Sequence, residues 1–327
     1  MRSRVPGNAV PPGGEACRAS APGKIIIFGE HAVVFGRPAI AVPVTQVSAS
    51  VTVEPATDRR GLTIVAIDMD RTIRFSEAPH NDPLAAVARL TLERLRRDEP
   101  DAILSIQSTV PIASGMGSGA AVSTAISRGL AQFLGTALSP ELISNIVFEI
   151  ERIHHGTPSG IDNTVIAFEK AIFFIPGQPI EFIAPAEPFT LLIADTGVRS
   201  STRVVVGQVR AAWRIDTSRY ESLFDRIGAI ATEARSVIET GDVQRLGPLM
   251  NENHRLLQDL QVSSTDLDRL VNSARRAGAA GAKMSGAGRG GNMIALVSPP
   301  GIRRVTQALG DAGATRVLTT RVGARQK

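Results

Sequence analysis

Between Pro111 and Ala121 the chain reads Pro-Ile-Ala-Ser-Gly-Met-Gly-Ser-Gly-Ala-Ala, with three glycines and two serines set where a β-type run, Ile103 to Val110, gives way to an apolar helical pattern. Glycines let consecutive backbone N–H groups converge on one point, and a helix beginning near Ser118 adds unpaired amides and the positive end of its dipole. That combination suits phosphate oxygens, so Ser114, Gly115, Met116, Gly117, Ser118, Gly119 and Ala120 form a candidate phosphate cradle. The segment also satisfies the loose dinucleotide pattern as Gly115-x-Gly117-x-x-Ala120, and Gly286-x-Gly288-x-x-Gly291 satisfies it again. A dinucleotide site wants an acidic residue about 20 positions on, at a second strand. That distance falls near Ser139-Pro140-Glu141, which has the form of a helix start, with Ser as cap and Pro at the first helical position. The Walker pattern G-x-x-x-x-G-K-[ST] is absent. A tight turn without a ligand and a nucleotide-phosphate loop of another type both remain.

Three other segments carry chemistry-bearing side chains. Ala21-Pro-Gly-Lys-Ile-Ile-Ile-Phe-Gly-Glu-His-Ala-Val-Val-Phe-Gly36 starts an apolar strand with Lys24 and places Glu30 and His31 at a glycine-flanked bend. A surface lysine and a hydrogen-bonded structural histidine are the plainer readings there. Glu151-Arg-Ile-His-His-Gly-Thr-Pro-Ser-Gly-Ile-Asp162 carries Glu151 on the last turn of a helix ended by Gly156 and Pro158. Its Thr-Pro-Ser-Gly turn presents Asp162 just before an apolar run read as a strand over Val165 to Ile175, where the carboxylate serves as a general base or simply as a turn or cap residue. His154 and His155 are adjacent and project differently, which argues against a two-histidine metal site. Gly281-Ala-Lys-Met-Ser-Gly-Ala-Gly-Arg-Gly-Gly-Asn292 reads as a glycine loop leading into strand Met293 to Val297, either a tight hairpin or a second ligand-facing loop. Lysine occurs only at positions 24, 170, 283 and 327, so nearly all positive charge is arginine. Where arginine is the default, a retained lysine supplies a compact ammonium that a planar guanidinium does not replace.

The elements that must hold these groups alternate. β-runs at 24–28, 39–44, 48–53, 62–67, 72–75 and 103–110 mix with helical patterns at 83–97, 117–134 and 140–154; a loop at Pro185 to Pro188 then acts as a hinge to a second α+β half with an antiparallel sheet. The expected division is a disordered extension over 1–19, a first domain over 20–187 and a second over 188–327. A length of 327 residues and 43% hydrophobic content suit two well-packed domains. The longest apolar runs, Ile25 to Phe28 and Ala171 to Ile175, are far too short for a membrane span. The single Cys17 excludes a disulfide framework, and Met1 to Ala19 lacks the apolar core of a signal peptide, so the cytoplasm is the expected compartment. The net charge of +5 is spread as scattered arginines, and aromatics make up only 4%, which argues against nucleic acid as a partner.

Pro22-Gly-Lys with Gly29-Glu-His-Ala-Val-Val, the Pro-x-x-x-Gly-Met-Gly-Ser loop, His155-Gly-Thr-Pro-Ser-Gly-Ile-Asp162 and Lys283-Met-Ser-Gly-Ala-Gly-Arg-Gly-Gly291 follow one another in an order that resembles the GHMP kinase superfamily of galactose, homoserine, mevalonate and phosphomevalonate kinases. The resemblance runs from about Ala21 to near the C-terminus, and the wording of the first and third motifs is most similar to the branch that phosphorylates mevalonate. It implies a two-domain α+β fold, with an N-terminal domain like the second domain of ribosomal protein S5 and a ferredoxin-like C-terminal domain. ATP with Mg²⁺ and mevalonate would meet in the cleft, and the γ-phosphoryl group would pass to the 5-hydroxyl. The resemblance further implies Asp162 and Lys24 as the catalytic pair, Glu151 and Ser118 as magnesium ligands, and loop 114–120 around the ATP phosphates. On the substrate side it implies Glu30, His31, Gly286, Ala287 and Gly288, with Thr202 carried over from a loose match of Thr196-Gly-Val-Arg-Ser-Ser-Thr202. Many relatives place a second serine, a metal-binding hydroxyl, where Gly119 stands here. Phosphomevalonate kinase, a mevalonate 3-kinase and a sugar kinase are the near alternatives, hydride transfer on a nicotinamide is a remote one, and a homodimer is left open.

Overall fold

The computed structural model describes residues 14–323 apart from 59, 113, 156 and 157. In chain order the elements are β1 (Cys17–Phe28), β2 (Ala39–Pro55), β3 (Leu62–Ala66), β4 (Arg71–Arg74), α1 (Pro83–Leu95), β5 (Ala102–Ser108), α2 (Ser118–Phe133), α3 (Pro140–His155), α4 (Ile161–Phe168), β6 (Ile172–Phe174) and β7 (Glu181–Phe182). There follow β8 (Phe189–Asp195), α5 (Thr202–Ile215), α6 (Thr217–Thr240), α7 (Val243–Asp259), α8 (Thr265–Arg276), β9 (Gly281–Ser285), β10 (Asn292–Val297), α9 (Ile302–Asp311) and β11 (Arg316–Val322).

The first sheet runs β4-β3-β5-β2-β6-β7, with β1 also paired to β2. It is antiparallel except where β3 and β5 run parallel. β2 is its spine, because its 17 residues are long enough to pair with β1, β5 and β6 in turn. A sheet of this kind is not the parallel, doubly wound frame that a dinucleotide fingerprint requires. The second fingerprint match lies in the hairpin between the antiparallel strands β9 and β10, with no helix after it. The remote hydride-transfer reading therefore lacks its scaffold. The second sheet runs β11-β8-β10-β9, all antiparallel, with α5 to α8 between β8 and β9 and α9 between β10 and β11. That βαββαβ connectivity is the ferredoxin-like arrangement.

Helix α2 lies on β1 and β2 because its inner face is small. A Cβ on Gly129 would come within 3.0 Å of Val51 Cγ1, so the backbone approaches the sheet closely there. α1 starts where Asp82 accepts hydrogen bonds from the N–H groups of Leu84 and Ala85, with Pro83 at the first helical position.

Three expectations are corrected. The extension over 1–19 lies outside the described residues as far as position 13, but Cys17, Arg18 and Ala19 belong to β1 and pair with Val53, Thr52 and Val51. The run from Val165 is not a strand. Gly160, at φ 91°, turns the chain into the short helix α4, whose Ile161, Val165 and Ile166 are buried, and only Ile172–Phe174 is extended. Short apolar runs do not separate buried helix from buried strand by periodicity. Finally, Gly281–Ser285 is a fully buried strand rather than part of a loop.

Strand β9 is the sheet edge, and α7 covers it through paired glycines. A Cβ on Gly247 would sit 2.3 Å from the Ala280 carbonyl oxygen, and one on Gly281 would sit 2.2 Å from that of Gly247. Neither neighbour is a flexible side chain. Gly247→Ala should therefore lower folding stability by about 1–3 kcal/mol through overpacking, read as a shift of the denaturant midpoint with an unchanged slope.

Candidate active site

The site is built on the C-terminal half of β1 and the turn after it. Lys24 is 3% exposed, and its Nζ lies 2.8 Å from Oδ1 of Asp162. Asp162 is the second residue of α4, so the first turn of a helix, rather than a strand entrance, presents the carboxylate. Its side chain is 28% exposed and remains open to a ligand. Gly117 makes the approach possible: it sits at φ 72°, and a Cβ there would press within 2.8 Å of Ile166 Cδ1 and 3.1 Å of Lys24 Cγ. The stem of Lys24 therefore passes directly under the glycine loop, and Lys24 N donates to Met116 O at 3.0 Å.

The loop ends in the N-terminus of α2. Gly117 caps that helix without any side-chain hydrogen bond, and no acidic residue occupies its first turn. The N–H groups of Ser118, Gly119 and Ala120 are thus available to an anion. Gly115 is also left-handed, at φ 82°, and carries no packed neighbour. A Cβ on Gly119 would meet nothing within 4 Å, and the backbone there lies outside the left-handed region.

Glu151, on α3, faces the same pair. Burial first and the charge of Asp162 second push its carboxyl up to about 8, with Lys24 pulling the other way. A carboxyl so placed is poised to take a cation. Among the described residues no cluster of three or more His, Cys, Asp or Glu side chains forms a protein-only metal cage. The side chains of His154 and His155 lie outside the described residues.

The substrate-side residues separate into two groups. His31, at φ 61°, bonds through Nε2 to the Ala287 carbonyl at 2.8 Å. A carbonyl only accepts, so Nε2 carries the proton. Burial lowers the imidazole pKa to about 4, which leaves it neutral with a bare Nδ1. Thr202, Ser114, Gly115, Ala287 and Gly288 border one recess, so α5, the phosphate loop and the second glycine loop do meet. Glu30 does not share that recess. Its Oε1 holds Lys283 Nζ in an ion pair whose two side chains are fully buried, and Lys283 also donates to Met284 O at 2.8 Å. The local sequence shows a Glu-His bend, whereas a partner 253 residues away decides what the glutamate does.

Gly288 is required where it stands, because a Cβ would lie 2.0 Å from the Val262 carbonyl oxygen. Arg289 N donates to that carbonyl at 2.7 Å, which holds the loop against the α7–α8 connection. The motif reading overlooked Ser285, whose Oγ donates to Ile26 O at 2.7 Å and ties β9 to β1. Its burial in a strand left no periodic signal in so short a segment.

Residues 83–170 match the GHMP kinases N terminal domain family, and residues 234–315 match the GHMP kinases C terminal family. The mevalonate kinase of Pyrococcus horikoshii is 33% identical, over 92% of this chain and 94% of its own. The mevalonate kinase of Thermococcus gammatolerans is 36% identical, over 92% and 95% respectively. Among solved structures, L. major mevalonate kinase in complex with R-mevalonate aligns with a TM-score of 0.82 at 30% identity, covering 95% of this chain and 97% of its own.

Glu151 generates a pH prediction for the metal-free protein. The folded state keeps a proton on this carboxyl up to about 8, while the unfolded chain releases it near the ordinary value of 4.5. Its contribution to stability is therefore present below the lower value and is lost as pH rises through the upper one. Glu151→Gln cannot titrate. Unfolding midpoints measured from pH 5 to 9 should shift in favour of the variant as pH rises, and parallel curves would show that Glu151 is not held in this state.

Proposed function

The chain belongs to the GHMP kinases and, within them, to the mevalonate kinase family, and from that membership we propose that it transfers the γ-phosphoryl group of ATP to the 5-hydroxyl of mevalonate, giving 5-phosphomevalonate and ADP for isoprenoid synthesis. The observation that carries the reading is the Lys24–Asp162 pair, 2.8 Å apart, set beside an uncapped helix N-terminus. Phosphoryl transfer asks a protein chiefly for positioning and charge stabilisation, and this arrangement supplies both. The amides of Ser118, Gly119 and Ala120 receive phosphate oxygens. Asp162 accepts the proton of the attacking hydroxyl. Lys24 orients Asp162 and offsets the negative charge that develops on the attacking and transferred oxygens. His31, with its bare Nδ1, and Thr202 face the acceptor.

Magnesium accompanies ATP in this reading, and the residues present fit it. Glu151 is a partly buried carboxyl whose pKa is raised by burial first and by the neighbouring Asp162 carboxylate second, and a cation beside it would relieve both. Mg²⁺ characteristically takes one or two carboxylates and keeps several waters, so the lack of a larger cluster is no obstacle. Glu151 would hold the ion with help from the Ser118 hydroxyl, since Gly119 offers none. Bound there, the ion would neutralise phosphate charge. The cytoplasm is the proposed compartment; among the described residues no helix is long and apolar enough to cross a membrane.

A panel of acceptors tests the assignment. Mevalonate should be turned over with far higher kcat/KM than phosphomevalonate, homoserine or galactose, and NMR should place the phosphate on C5. Phosphate on C3, or a preference for phosphomevalonate, would keep the kinase class and overturn the substrate. Within the catalytic pair, Asp162→Asn should lower kcat by at least about 100-fold with nucleotide binding nearly intact, as removal of a proton acceptor requires. Lys24→Arg should not restore the activity lost in Lys24→Met, because a guanidinium fork cannot occupy the space under Gly117.

A further inference from the structure

Two backbone carbonyls of the phosphate loop are pinned, each by a donor from a different sheet. Met116 O accepts from Lys24 N on β1, as described, at 3.0 Å. Ser114 O accepts from Nδ2 of Asn292 at 2.7 Å, and Asn292 opens β10, which is interior to the second sheet. Asn292 is 2% exposed, and its backbone is paired with Asp195 on one side and Ser285 on the other. The sheet therefore fixes the direction of its side chain. Gly291 reinforces the contact, since a Cβ there would lie only 3.0 Å from Ser114 O. Its own N and O are occupied by Val198 O and Thr196 N, each at 2.9 Å. Between the two pinned carbonyls lies Gly115, a left-handed residue with no neighbour within 4 Å of its Cβ direction. Packing alone does not hold that stretch. The Ser114 hydroxyl is tied locally to Pro111 O at 3.0 Å and contributes nothing across the seam.

We propose that Asn292 is a positioning residue for the nucleotide: its carboxamide holds the Ser114 carbonyl so that the loop amides keep their aim on the phosphates. It also joins two loops that act on different ligands, because the acceptor-side segment 286–291 enters β10 directly at Asn292. The amide nitrogen must face Ser114, as the side-chain oxygen there would oppose another acceptor. The inference rests on the kinase reading above and extends it to a residue outside the motif glycines.

The test uses the full chain with Asn292→Leu, which keeps the branched shape, with somewhat more volume, but removes the donor, and Asn292→Asp, which keeps the shape but turns an acceptor toward an acceptor. Steady-state kinetics give KM for ATP and for mevalonate, and calorimetry gives Kd for Mg²⁺-ADP without any acceptor. Asn292→Leu should raise KM for ATP and Kd for ADP by about three- to tenfold, the range that one net hydrogen bond allows. KM for mevalonate should stay within about twofold, and Asn292→Asp should weaken ADP further. Asn292→Ala, which cannot overpack, serves if the leucine variant does not fold. Wild-type ADP affinity in these variants, or a fall in thermal midpoint with nucleotide and acceptor affected alike, would make Asn292 a packing residue and overturn the proposal. Turnover of mevalonate by the unmodified protein is scored separately, so failure of the substrate assignment is distinguishable from failure of the Asn292 role.

Discussion

Two lysines withdrawn from water organise this protein. Lys24 is 3% exposed and Lys283 is wholly buried. An ammonium in that position costs several kcal/mol unless a carboxylate meets it, and removing one partner of such a pair costs about 3–5 kcal/mol. Each lysine therefore dictates where a distant segment must go. Lys24 requires α4 to begin where Asp162 can reach it, and Lys283 requires the turn after β1 to bury Glu30 against β9. Both demands converge on the end of β1. Ile26 O accepts from Ser285 and His31 Nε2 donates to Ala287 O, so the seam between the two sheets is stitched along β1 and the turn that follows it.

The two ion pairs divide their work by exposure. Glu30 and Lys283 are sealed, and burial pushes the carboxyl up and the ammonium down, toward neutrality for both. That pair sets geometry. Asp162 remains partly open, and in the proposed reaction it is the carboxylate that takes the hydroxyl proton. The neutral His31 fits the same dry environment, in which fixed dipoles such as the α2 amides act more strongly than they would in water.

Glycine makes this crowding possible, for different reasons at different points. Gly117 is compelled by the lysine stem beneath it and by a left-handed backbone, whereas Gly288 is compelled by the Val262 carbonyl. Gly115 meets no neighbour at all and owes its place to its torsion angle. A glycine-rich motif thus mixes conformational with steric requirements, and the letters do not distinguish them.

The sequence by itself determined the cradle, because glycine torsions and the amides of a helix start at Ser118 are local properties of consecutive residues. It also singled out Lys24 and Lys283, since a chain that otherwise uses arginine marks its lysines by contrast, and it located most strands and helices through their periodicity. Tertiary structure decided the rest. The helix that carries Asp162 was not legible because the apolar run after it is buried on nearly all sides, a condition that erases the difference between helix and strand patterns. Gly281–Ser285 is a strand because its backbone pairs with β10, and Glu30 meets the one charged side chain that this burial encloses. Asn292 touches the phosphate loop across 178 residues of chain. Pairing between buried polar groups depends on which surfaces the fold brings together, and short-range sequence patterns carry no record of that.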